Sequence, residues 1–182
     1  MRRPGNIVGV DPVNSRKYSL PVAIFGSVMI VGAAAMAADL PKEGTSSVTY
    51  SAVGTGKVNQ IGKDRFITAF DENGLTVGTG LLDHMTWHCF GLFDVMSGAA
   101  QYQGYCVATD PAGDQIVSNN VSDGKYPVDA KSSNGISTFT TGTGEFAGIS
   151  GGGTFTCRGS EFRSAEGTFA GYCTNQVSYK LP

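Results

Sequence analysis

Four cysteines fall in two matching pairs inside two matching stretches of sequence, and this repeat narrows the possible folds more than any other feature of the chain. Thr86-Trp87-His88-Cys89 recurs as Thr154-Phe155-Thr156-Cys157, and Tyr102-Gln103-Gly104-Tyr105-Cys106 recurs as Phe169-Ala170-Gly171-Tyr172-Cys173. The offset between the copies is nearly constant, so one supersecondary unit is used twice. Turn-forming residues lie midway between the cysteines of each copy, at Met96-Ser97-Gly98 and at Ser164-Ala165-Glu166-Gly167. The unit reads as a β-hairpin with one cysteine on each arm. Residues equidistant from a hairpin turn face each other, which pairs Cys89 with Cys106 and Cys157 with Cys173. Each bridge closes a loop of about 15 residues, worth on the order of 3 kcal/mol in the chain-entropy model. A redox dithiol or a zinc site needs closely spaced cysteines of the C-x-x-C kind, and the chain has none.

Disulfides persist in oxidising compartments, and the N-terminus supplies a route to one. Arg16 and Lys17 precede an uncharged apolar run from Leu20 that ends in small residues at Ala35-Met36-Ala37. This reads as a secretory signal peptide over residues 1–37, with an uncleaved membrane anchor as the alternative, and it predicts a periplasmic or secreted protein. Residues 38–46 follow as a short polar lead-in, then one domain over 47–182. Without residues 1–37 the chain keeps nine of its thirteen basic and fourteen of its fifteen acidic side chains, a net charge near −5. Phosphate backbones are bound by clustered Lys and Arg, so nucleic acid is not an expected partner, nor is a membrane once the leader is removed.

The 26 glycines, 10 phenylalanines and 7 tyrosines suit short aromatic strands joined by tight turns. Strands are expected near 47–53, 65–70, 75–78, 84–92, 100–109, 136–140, 144–147, 152–158, 166–174 and 175–180, with Asn73-Gly74 as a hairpin turn. The polar stretch 110–134 is expected to be the long connection between the two repeat units, with weak strand signals at 115–117 and 126–128. The predicted class is all-β: an antiparallel β-barrel of about eight strands, or a closely related sandwich, with two hairpin disulfides.

Side chains two apart on a strand share a face. The cysteine-bearing face carries Met85, Trp87, Tyr102, Phe155 and Phe169, whereas the other carries His84, Thr86, His88, Gln103, Tyr105, Thr154, Thr156, Thr168 and Tyr172. The first is the more apolar and is placed inward, around Trp87. Those five residues either line a pocket for a small apolar ligand or fill a solid core.

Chemistry is sparse. His84 and His88 lie on one side of a strand reading, but four residues of strand separate them by roughly 13 Å, too far to share an ion, so no metal is expected. No nucleophile elbow, phosphate loop or zinc-protease helix motif occurs, no cofactor is implied, and Gly151-Gly152-Gly153 reads as turn glycines. Glu145 stands in a strand-like segment facing solvent. For an enzyme, the nominees for a polar pair in the pocket are Glu145, Arg158, Asp83 and Arg65.

The segment Gly142-Thr143-Gly144-Glu145-Phe146-Ala147-Gly148-Ile149-Ser150-Gly151-Gly152-Gly153-Thr154-Phe155 resembles the Gly-x-Gly-x-Phe-x-x-x-x-Gly-x-Gly hairpin near the end of allene oxide cyclase and dirigent-like β-barrels. With the Gly167–Tyr172 strand it covers about a fifth of the chain. The resemblance implies an eight-stranded antiparallel barrel, often trimeric, whose apolar cavity steers cyclisation, isomerisation or radical coupling by shape. The two hairpin disulfides and the bacterial-looking leader depart from both families, and no catalytic residue of either transfers onto these positions. Three functional expectations follow: a non-catalytic exported barrel that binds a small apolar ligand or a protein partner, a cyclase or isomerase, and a purely structural secreted protein.

Overall fold

The computed structural model describes residues 40–163 and 167–182; the expected leader lies outside them. Nine strands follow in order: β1 Glu43–Gly62, β2 Arg65–Thr79, β3 Thr86–Met96, β4 Ala99–Thr109, β5 Gln115–Ser122, β6 Tyr126–Pro127, β7 Ser133–Gly142, β8 Ser150–Arg163 and β9 Thr168–Lys180. Eight of these pair antiparallel in the order β1-β2-β3-β4-β5-β7-β8-β9, and β9 returns to β1, which closes the barrel. The two-residue β6 pairs with the start of β4 at the rim. Closure gives each of the eight long strands a paired neighbour on both sides, so none is left as an open edge.

Both disulfides form as the repeat predicts. Cys89–Cys106 and Cys157–Cys173 are directly opposed partners across β3–β4 and β8–β9, with Cα atoms 4.1 and 3.9 Å apart. The cysteine-bearing face is inward: Met85, Trp87, Cys89 and Phe155 are buried, while His84, Thr86, His88 and Tyr105 are exposed.

Four expectations are corrected. Asn73-Gly74 makes no turn. It lies in the middle of β2, opposite Val53 and Ala52 on one side and His88 and Trp87 on the other. Two flanking ladders outweigh the local turn preference of Asp71-Glu72-Asn73-Gly74. The stretch 110–134 is not one long connection, because β5 within it is a full barrel strand between β4 and β7. Its inward Ser118 and Asn120 are buried but hydrogen-bond each other at 3.2 Å, which removes the penalty that polar residues there would carry. Residues 144–147 are not a strand: Gly144–Phe146 forms a 3₁₀ turn that drops Phe146 into the core. Gly151–Gly153 is not a turn but opens β8, where the chains run so close that a Cβ on Gly153 would meet Gln176 O at 1.9 Å. β1 begins at Glu43, and Ser46 on it is buried.

The two ends of the barrel differ. One receives the β2–β3, β4–β5 and β7–β8 connections, and there Leu81, Leu82, Phe146, Ile149 and Leu181 pack into a plug over Met85. Thr76 ties this plug down: its hydroxyl donates to the Leu82 carbonyl and accepts from the Met85 N–H. The other end receives the β1–β2, β3–β4 and β5–β7 connections, and the aromatic side chains beneath it remain partly uncovered.

Candidate functional site in the barrel interior

Read through Asn73-Gly74 as one strand, β2 turns Phe70, Glu72, Gly74 and Thr76 inward and Asp71, Asn73, Leu75 and Val77 outward. Glu72 thereby becomes a carboxylate in the barrel interior, opposite Gly54 of β1 and Cys89 of β3. Glycine at position 54 is what makes room for it: a Cβ there would stand 2.6 Å from the Glu72 Cβ and 2.7 Å from the Phe169 ring. Gly74 does the same for Tyr50, whose ring lies 2.5 Å from where its Cβ would be.

Around Glu72 the interior is aromatic. Phe70, Phe93 and Tyr102 form a triangle with ring centroids 5.0, 5.4 and 5.4 Å apart, and Phe155 meets Tyr102 edge-on at 6.0 Å. Tyr50 packs against Trp87 at 5.7 Å. The Tyr50 hydroxyl and the Trp87 indole N–H are buried with no hydrogen-bond partner of good geometry. Tyr50 nonetheless lies near enough to Glu72 to favour its ionised form. Burial dominates and pushes the Glu72 carboxyl up to about 7, with the Asp71 charge acting in the same direction. Burial, then the negative charge of Glu72, raises both Tyr50 and Tyr102 above the ordinary phenol range, so both stay neutral.

Glu72, Phe93, Tyr102 and Phe169 all point inward yet are only partly covered. These inward side chains therefore keep partial contact with solvent.

The five residues expected to line a pocket divide. Trp87, Tyr102, Phe155 and Phe169 face this lumen, whereas Met85 belongs to the plug. The four catalytic nominees do not come together. Arg65 pairs with Asp94 at 2.6 Å on the exposed rim, which lowers the Asp94 carboxyl. Arg158 is exposed on the outer face opposite Tyr172. Asp83 is a turn residue: it accepts from the Gly78 N–H at 2.8 Å, the first cause of its lowered pKa, and contacts His84. Glu145 is exposed, and slight burial and the neighbouring Asp110 raise it. Asp83 and Glu145 border one cleft of about 410 Å³ outside the plug, but no cation lines it with them. The two histidines also part: His84 sits in a turn at positive φ, and His88 contacts Asp71 at 2.9 Å outside the barrel. Reading Asp71-Glu72 as the end of a strand hid the one carboxylate that the alternation from Phe66 through Phe70 to Thr76 carries inward.

The closed eight-stranded antiparallel barrel has a counterpart among solved structures. Among solved structures, that of the pterocarpan synthase dirigent protein GePTS1 superposes with a TM-score of 0.51 over 78% of this chain and 91% of that one, at 8% sequence identity. This likeness establishes a dirigent-like barrel fold. No protein-family profile matches the chain, and no curated protein matches it.

Proposed function

We propose that the chain is an exported barrel that binds a small, largely apolar molecule in its lumen, with Glu72 as the polar contact. The observation that carries this is the partial exposure of Glu72 and its aromatic neighbours inside a closed barrel. Burial of a ligand there gains roughly 25 cal/mol per Å² of apolar area removed from water. The dirigent-like fold, the paired cysteines and the apolar leader support the reading. A homo-oligomer, a trimer by the resemblance, belongs to the same proposal and is read by light scattering. N-phenyl-1-naphthylamine, a neutral apolar fluorophore, tests the lumen. Saturable binding that quenches Trp87, the chain's one tryptophan, and weakens in a folded Tyr102→Ala variant supports it. Absence of saturable binding overturns it and leaves a structural barrel.

A second reading, an isomerase or cyclase, is favoured by one observation: a carboxyl near 7 in an apolar site is matched to proton transfer at neutral pH. The base-catalysed ring opening of 5-nitrobenzisoxazole tests it without a known substrate. Acceleration that rises with pH through about 7 and vanishes in Glu72→Gln is expected; a rate equal in both proteins removes this reading.

A further inference from the structure

Among the residues whose side chains are described, the inward-facing positions of the eight long strands hold one carboxylate, Glu72, and no Lys, Arg or His. The basic side chains of β2 and β8 whose surroundings are described, Arg65 and Arg158, are exposed outside the lumen. A carboxylate in an apolar site is costly unless a cation meets it, and no described side chain brings one to Glu72. Phe93, Tyr102 and Phe169 are partly buried inward-facing rings of the same interior, with Phe93 packed on Tyr102 and Phe169 beside Gly54 opposite Glu72. Aromatic rings around a single carboxylate are the chemistry that holds organic cations, the rings through their quadrupoles and the carboxylate through its charge.

We propose that the lumen is a site for a small organic cation, an alkyl or aralkyl ammonium, with Glu72 as counter-ion and Phe93, Tyr102 and Phe169 as its aromatic walls. This rests on the reading that the lumen binds small molecules and adds the charge they carry. A neutral apolar ligand would cover Glu72 without pairing it, and an anion would be repelled by Glu72 and by Asp71 behind it. The cation alone turns the unpaired carboxyl into a favourable contact.

The proposal has a proton balance. Below about 7 the free protein holds Glu72 as the acid, so binding a fixed-charge cation releases that proton to solvent. The groups facing Glu72 do not interfere: β1 brings Tyr50 and β4 brings Tyr102, both raised above the ordinary phenol range, and Tyr126 beyond Tyr102 is raised as well. β3 brings Cys89, locked in a disulfide, and β9 brings Phe169. Asp71 and its contact His88 lie outside the barrel.

Calorimetry on the disulfide-intact protein tests this with choline and its neutral isostere 3,3-dimethylbutan-1-ol. Choline is expected to bind at least about tenfold more tightly than the alcohol at pH 8, and to lose affinity by about tenfold per pH unit below about 7 while releasing a proton. Glu72→Gln should erase the preference and His88→Gln should keep it. Equal affinity for the two probes, or a preference that survives in Glu72→Gln, overturns the cation site while the binding barrel stands. If neither probe nor the naphthylamine binds, both fall. Should Glu72→Gln fail to fold, the pH dependence in the unaltered protein decides: a flat profile overturns the proposal.

Discussion

The two disulfide hairpins are near copies in sequence, yet the barrel treats them differently. In β3–β4 the bridge is deeply buried, with Cys89 1% and Cys106 5% exposed, and the ladder runs unbroken to the turn. In β8–β9 both cysteines are partly exposed and the register slips between Gly159 and Arg163. Neighbours explain the contrast. Cys89 lies opposite Glu72 of β2, beneath the Phe70–Phe93–Tyr102 triangle, whereas Cys173 lies opposite Tyr50 of β1. A local motif sets which residues pair, and the strands on either side set what the pairing is worth.

The largest effect should come from the bridges. Replacing Cys157 and Cys173 by Ala should cost about 3 kcal/mol, the loop-closure contribution. Replacing Cys89 and Cys106 should cost that plus on the order of 1 kcal/mol for the buried volume removed. Urea denaturation of both variants measures the difference, and equal losses would show that burial of the first bridge carries no energy.

A second test concerns the carboxylate that only the first bridge faces. Because folding raises the Glu72 pKa from 4.5 to about 7, the folded state holds the proton more tightly than the unfolded one between those values. Its contribution is favourable below 4.5 and is lost as pH rises to about 7, by up to about 3 kcal/mol. Glu72→Gln should flatten that part of the stability profile, whereas Tyr50→Phe should move it to higher pH by removing the group that favours the ionised form. A profile unchanged in Glu72→Gln would place the carboxylate in water.

The equivalent glycines give a smaller contrast. A Cβ on Gly104 would stand 2.6 Å from the Phe90 carbonyl and 3.2 Å from the Phe70 ring, while one on Gly171 meets nothing closer than 3.0 Å. Gly104→Ala should cost about 1 to 3 kcal/mol and Gly171→Ala under about 1; thermal melts that rank them the other way would refute the packing account. Smallest of all, Arg158→Ala, on the exposed face of the second hairpin, should leave both melting temperature and ligand affinity unchanged.

The hairpins were legible because pairing and facing are both local consequences of a two-residue period. Trp87, Tyr102, Phe155 and Phe169 followed from the cysteines by counting in twos. What escaped the sequence were segments whose local chemistry argues against their structure. β5 looks like a loop because Ser118 and Asn120 are polar, and only their mutual hydrogen bond makes them acceptable inside. β2 looks broken at Asn73-Gly74 because the need for Gly74 lies across the ladder, in the Tyr50 ring. Glu72 was lost with it: a carboxylate is assigned to solvent until the strand carrying it is seen to continue on both sides.

Closure of the barrel also has a consequence for its making. β1 pairs with β2, its immediate successor, but its other edge waits for β9, the last strand of the described residues. Until β9 has been synthesised and has reached it, β1 presents Val48, Tyr50 and Ala52 beside a row of free backbone groups. Closure thus joins β1 to the C-terminal strand of the described residues, a pairing of high sequence separation whose open edge is exposed until it forms.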